Sequence, residues 1–178
     1  SMKVRGVGLE REDQELFNER AEKLAELSTK FSNNVLDATN EWSVLFTDER
    51  EVEGLPQRAL EIMAAAAKEH GDKYIKNDNL SEPTAEKGPW RVGLDLPRYM
   101  PYITYAKQRS SRELIYKAFV SRASKGKLSN QKIIQDILSL REKQAIQLGY
   151  KNWAEVSLES KMAKDIKSVE NLLNELLL

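Results

Sequence analysis

One histidine, His70, stands in a chain of 178 residues that has no cysteine, and this limits the chemistry the sequence can do. His70 lies in Lys68-Glu69-His70-Gly71-Asp72. One imidazole with one or two carboxylates falls short of the three protein ligands a catalytic zinc requires. The segment reads instead as a helix C-terminus, where the macrodipole favours a basic side chain, so His70 is expected to be solvated there. No serine can draw on a second histidine as base, and no G-x-S-x-G elbow occurs. Carboxylates cluster at Glu10, Glu12 and Asp13, and again at Asp48, Glu49, Glu51 and Glu53. Acid–base pairs need one carboxyl in an apolar pocket, whereas these alternate with arginine and read as solvated faces. Phosphate-binding glycine loops are absent, and Gly6-Val7-Gly8 is too short to be one. Catalytic and metal-ligating residues are therefore expected to be none.

Binding is the chemistry that remains. Tyr99, Tyr102 and Tyr105 recur at i, i+3 and i+6 and form one helix-face patch, and a tyrosine can anchor a peptide through ring and hydroxyl. Arg109, Arg112 and Arg122 follow closely and can hold a carboxylate by a two-pronged contact. The same spacing serves packing of the tyrosines against a strand and surface pairing of the arginines, which is the reading the sequence favours.

The elements that must position these side chains are mostly helices. Phe17, Ala21, Leu24, Leu27 or Ser28, Phe31 and Val35 fall on one stripe of a helix from Glu10 to about Asn40, with Glu26 and Lys30 as an i, i+4 pair. The period becomes two over Glu41–Thr47 and again over Trp90–Leu96, so two strands are expected to pair across the helix between them. That helix opens at Gly54-Leu55-Pro56, is rich in alanine and stops at Gly71. Residues 72–89 read as an exposed loop. From Pro97 onward the chain is helical, with starts read at Ser110 (a capping box with Glu113), Ser129, Asn152 and Ser168. Ile133, Ile134, Ile137, Leu138 and Ala145 are expected to face inward. The fold class is mainly α, a multi-helix bundle with a small two-stranded antiparallel β element. A single helical scaffold domain over 1–178 is expected, with an N-terminal tail at 1–9.

Lys+Arg and Asp+Glu number 28 each, so no basic excess exists to neutralise phosphates and nucleic acid is not an expected partner. No apolar run approaches the ~18 residues of a membrane span, and no membrane partner is expected. Ser1-Met2 reads as an expression remnant, which leaves room for a targeting segment ahead of it. The expected location is intracellular, in the cytoplasm or in a plastid or mitochondrion.

Four ordered blocks resemble one protein family. They are Leu24–Thr39 (LAELSTKFSNNVLDAT), Glu53-Gly54-Leu55-Pro56, a block from Gly88-Pro89-Trp90 to Arg122-Ala123-Ser124, and a tail block from Leu148-Gly149-Tyr150 to Lys161-Met162-Ala163. The middle block includes Leu94-Asp95, Pro97, Tyr99, Pro101, Ala106, Arg109, Arg112-Glu113, Tyr116 and Ala118. In order and spacing they resemble the helical, non-catalytic half of the thimet oligopeptidase and oligopeptidase A family of zinc peptidases, the GPW form being most similar to the plant and bacterial oligopeptidase A branch. That resemblance implies a scaffold lining one side of a deep peptide channel, and zinc held by an H-E-x-x-H helix. The motif occurs nowhere in this sequence, so no catalytic residue and no cofactor carries over.

Three readings follow: a catalytically silent portion of such a peptidase; a stand-alone relative that binds peptides or a protein partner; and an enzyme with a site of another kind. The resemblance favours the first. Leu172, Leu173, Leu176, Leu177 and Leu178 are apolar enough to need cover, so self-association, or association with a full-length peptidase relative, is expected.

Overall fold

The computed structural model describes residues 6–76 and 79–177. Residues 1–5 of the expected tail, and Leu178, lie outside them. Among the described residues the chain is mainly α, with seven α-helices and four short strands in the order α1 (Arg11–Glu41), β1 (Ser43–Phe46), α2 (Gln57–His70), β2 (Tyr74–Lys76), β3 (Asn79–Ser81), β4 (Trp90–Gly93), α3 (Leu96–Tyr105), α4 (Arg109–Val120), α5 (Gln131–Gln147), α6 (Trp153–Leu158) and α7 (Ile166–Leu176). Contacts group them into two compact units, residues 33–129 and residues 1–32 with 130–178.

The unit of residues 33–129 is built on the expected strand pair. β1 runs antiparallel to β4 with Val44 opposite Val92 and Phe46 opposite Trp90. α2 turns Ala59, Met63, Ala64 and Ala67 inward, and the small alanines let its backbone approach the strands. Two hydrogen bonds close it at Gly71: Gly71 N–H to Lys68 carbonyl at 3.0 Å, and Asp72 N–H to Ala67 carbonyl at 2.9 Å. Phe46, Met63, Trp90, Val92, Leu94, Tyr102 and Ile115 form the centre of one continuous apolar core.

Two glycines have no substitute here. Gly54 has φ +93°, and a Cβ on it would lie 2.4 Å from the Tyr105 carbonyl oxygen. Gly88 has φ +62°, and a Cβ there would meet the Trp90 ring at 2.6 Å. Glu-Gly-Leu-Pro is thus the turn that brings the start of α2 against the end of α3, clasped by Lys107 N–H to Glu53 carbonyl at 2.8 Å. Gly-Pro-Trp lets the indole fold back to donate to the Ala85 carbonyl at 3.0 Å.

The stretch 72–89, expected as exposed loop, contains the hairpin β2–β3 and a Thr84–Gly88 bridge. Its strands are three residues each, too short for alternation to show. Pro83, Gly88 and Pro89 are buried.

In the other unit, the start of α1 packs on α5 and α6 through Phe17, Ala145, Leu148 and Val156, with Leu9, Tyr150 and Trp153 at the margin. Gly6–Leu9 is a turn rather than a free tail, its Leu9 N–H bonded to the Gly6 carbonyl at 3.1 Å. Amides contribute much of the α1–α5 seam: Gln147 donates to the Asp13 carbonyl at 2.7 Å and accepts from Arg20 at 2.9 Å, while Asn130 donates to the Phe31 carbonyl at 3.1 Å.

Three helix starts differ from the serine caps expected. α4 is preceded by Gln108, and Ser111 turns inward to donate to the Glu51 carboxylate. Asn130, not Ser129, precedes α5. Asp165 caps α7, accepting from Ser168 N–H at 2.8 Å and Ser168 hydroxyl at 2.7 Å, so the helix begins at Ile166, ahead of the serine. The Asn152 cap forms as expected, bonded to Glu155 N–H at 3.1 Å. On α1, Glu26 pairs with Lys23 at 2.7 Å instead of with Lys30. Ile134 and Leu138 face outward at 44% and 59% exposure, whereas Ile133 and Ala145 are buried.

Candidate functional site

The three tyrosines do not share one face. Each three-residue step lags a helical turn by about 60°, so two steps carry the third ring about 120° away. Tyr99 is buried and stacks on Phe119 with centroids 3.9 Å apart. Tyr102 is sealed, stacked on Phe46, and donates its hydroxyl to the Glu51 carbonyl at 2.6 Å. Burial pushes both phenols above the usual tyrosine range. Only Tyr105 reaches solvent, at 55% exposure.

The arginines divide as well. Arg112 donates to the carbonyls of Ala106 and Lys107, the latter at 2.9 Å, and so satisfies the end of α3. Arg122 lies over the Phe119 ring at 3.7 Å and donates to the Phe119 carbonyl and the Thr39 hydroxyl, each at 2.9 Å. A layered Arg122–Phe119–Tyr99 stack therefore holds the Arg-Ala-Ser segment, a structural role for that motif. Arg109 faces a shallow hollow of about 250 Å³ with Ile103, Arg112, Glu113 and Tyr116. Glu113 is held below the usual glutamate range by its bond to Lys117, with Arg109 adding to the effect. The structure thus brings Arg109 and Arg112 together, adds Tyr116, and separates them from Tyr99 and Tyr102. The signal for Tyr116 was legible: Arg109, Arg112, Glu113 and Tyr116 fall at i, i+3, i+4 and i+7 of one helix. Two guanidiniums, a carboxylate and an aromatic edge suit recognition of a peptide terminus; they offer no acid–base pair.

A second hollow of about 600 Å³ has Trp42, Ile62, Ala65 and Ala66 as its floor and Glu69, His70, Arg91 and Arg98 on its rim. His70 Nδ1 lies 3.3 Å from Asp72 Oδ1. The Asp72 carboxylate is already taken by Arg91, which reaches it with Nε at 2.6 Å and a second nitrogen at 2.8 Å. That guanidinium holds Asp72 below the usual aspartate range. An aspartate so paired is a poor metal ligand. Among the described residues no group of three or more His, Cys, Asp or Glu side chains could hold a metal ion, so the residues present do not fit a zinc.

The geometry describes helices with shallow hollows between them, and comparison with known proteins gives their family. The profile of Peptidase family M3 matches residues 102–177. Over 171 residues, 96% of this chain, the sequence is 45% identical to a probable cytosolic oligopeptidase A of Arabidopsis thaliana, covering 23% of that protein. An organellar oligopeptidase A (chloroplastic/mitochondrial) of the same plant is 47% identical over 94% of the chain and 20% of its own length. The Escherichia coli oligopeptidase A is 39% identical over 96% of the chain and 24% of its own length. The chain belongs to the thimet oligopeptidase and oligopeptidase A family, and it spans 20–24% of the length of these relatives. No helix among the described residues is long and apolar enough to cross a membrane.

Proposed function

We propose that this chain is a scaffold portion of an oligopeptidase A-type zinc peptidase, lining the channel along which peptides pass and contributing no catalytic group. The observation that carries this reading is the match along 94–96% of the chain to peptidases four to five times its length, in a sequence with one histidine and no H-E-x-x-H. Within the scaffold, Tyr105, Arg109 and Arg112 meet the peptide, with Tyr116 beside them; Tyr99 and Tyr102 act from the core by fixing α3. Zinc belongs to the remainder of such a peptidase, and the working compartment is intracellular, cytosolic or organellar.

Segment exchange tests the reading. The corresponding quarter of the Arabidopsis organellar enzyme is replaced by this chain, and cleavage of a quenched fluorescent peptide is followed. Activity is expected to survive in the chimera, and Arg109→Ala within it to raise KM more than it lowers kcat. A folded but inactive chimera, or peptide cleavage by the 178-residue chain alone with zinc, would overturn the proposal.

A second reading is a stand-alone module that binds peptides or a protein partner without cleaving them. It is favoured by the uncovered leucines of α7. The intact mass of the endogenous protein separates the two: near 20.4 kDa supports the module, several times that supports the peptidase portion.

A further inference from the structure

Glu51 belongs to the carboxylate cluster Asp48, Glu49, Glu51 and Glu53, which reads from the sequence as a solvated face. The structure separates these side chains. Asp48 caps the short turn Glu49–Glu51 and accepts from Arg50 Nε at 3.0 Å. Glu53 takes the Lys107 ammonium at 2.7 Å on the surface. Glu51 turns toward α3 and α4 instead. Its backbone carbonyl accepts the Tyr102 hydroxyl of α3 at 2.6 Å, and its carboxylate accepts the Ser111 hydroxyl of α4. Tyr102 is sealed and Ser111 is 6% exposed, so both bonds lie where water competes little and hydrogen bonds are strong.

We propose that Glu51 is a positioning residue: through its carbonyl and its carboxylate it holds the corner between α3 and α4 so that Arg109 and Arg112 meet a peptide carboxylate. This role rests on the proposed peptide contact by those arginines. The first turn of α4 has no side-chain cap at Gln108. It is tied down by Ser111 to Glu51 and by Arg112 to the carbonyls of Ala106 and Lys107. A carboxylate beside the first turn of a helix is also the charge that the macrodipole favours there. Ser111 lies about 160° around the helix from Arg109. A tether on one side of α4 therefore sets the direction of the guanidinium on the other. The same backbone stretch holds the end of α3, since Lys107 N–H donates to the Glu53 carbonyl at 2.8 Å.

The test uses the chimera with the Arabidopsis organellar enzyme and two quenched fluorescent peptides that differ only in a free or an amidated C-terminus. Glu51→Ala is expected to raise KM for the free carboxylate about five- to tenfold, with kcat within about twofold and the amide's KM nearly unchanged. Glu51→Gln, whose amide oxygen still accepts from Ser111, should restore most of that loss, and Ser111→Ala should reproduce it. In an Arg109→Ala background, Glu51→Ala should add less than about twofold. If Arg109→Ala treats both peptides as its parent does, the peptide contact fails and the role of Glu51 fails with it. If Arg109→Ala loses the carboxylate preference and Glu51→Ala keeps it, the positioning role alone is overturned. Equal losses for both peptides overturn it too, since they mark a general weakening of the fold. In the 178-residue chain, denaturation of Glu51→Ala, Ser111→Ala and the double variant should be non-additive; additive losses would overturn the bond itself.

Discussion

The two units bury apolar surface in different ways. Residues 33–129 place thirteen buried side chains in one cluster, from Phe46 on the strands to Ile115 on α4, whereas the other unit joins four, Phe17 among them. The second unit adds amide and guanidinium contacts along α1 and α5 and leaves Ile134, Leu138, Ile146 and the α7 leucines exposed, as the larger unit leaves Leu36, Leu96, Met100, Leu114 and Val120. Closely packed cores resist local opening, and segments with few buried contacts open first. The comparison teaches that one chain can hold two units that differ chiefly in the size of their buried apolar clusters.

The sharpest way to break this contrast is Trp90→Ala. Trp90 is 1% exposed at the centre of the larger core, and its loss should cost about 3–5 kcal/mol. Amide exchange should then accelerate throughout residues 33–129; unchanged exchange there would mean the cluster is not the unit's centre. Gly54→Ala follows at about 2–3 kcal/mol, because the added Cβ meets the Tyr105 carbonyl oxygen while the backbone is held at positive φ. Equilibrium denaturation measures it, and a neutral result would show that the turn relaxes freely. Val156→Ala in the smaller core should cost less, about 1–2 kcal/mol, and mainly affect exchange in α5 and α6.

Asp72→Asn probes the larger unit through pH. Its folded pKa lies below the unfolded value of about 3.9, so the carboxylate stabilises the fold above that pH and its contribution fades as pH falls through the folded pKa. The variant should lose about 1–2 kcal/mol at neutral pH and differ little from the parent in strong acid. A constant difference across the acid range would sink the argument. The smallest effect is expected from Asp165→Ala, which removes the α7 cap: exchange protection in the first turn of α7 should fall several-fold with no change in the larger unit.

Much of the larger unit was legible in the sequence. The alternation at Val44 and Phe46 and at Trp90, Val92 and Leu94 announced a buried strand pair, and Pro56 and Gly71 bounded α2 within a residue. Register-setting residues and core residues coincide there, so pattern and packing agree. The smaller unit was harder to read. Its helices are amphipathic by spacing, and the spacing of Ile134 and Leu138 cannot distinguish a face covered within the chain from one left open. The serine starts missed because the helices begin earlier: Gln108 precedes α4, and Asp165 caps α7 ahead of Ser168. In the candidate site, the favoured packing reading agrees with the burial of Tyr99 and Tyr102, whereas the single patch expected of the three tyrosines did not form, because a helix turns 100° per residue and that rotation decided which rings see solvent.

The indole of Trp90 is closed off from water, while Trp153 is only partly buried and lies 5.5 Å beneath the Arg141 guanidinium. In optical terms the chain carries three lamps, Trp42 and Trp90 in the larger unit and Trp153 in the smaller. Emission from Trp90 should be blue-shifted and deaf to a dissolved quencher, and that from Trp153 redder and readily dimmed. With Trp42 replaced by phenylalanine, a quencher titration during unfolding would show which unit opens first, without a label being attached.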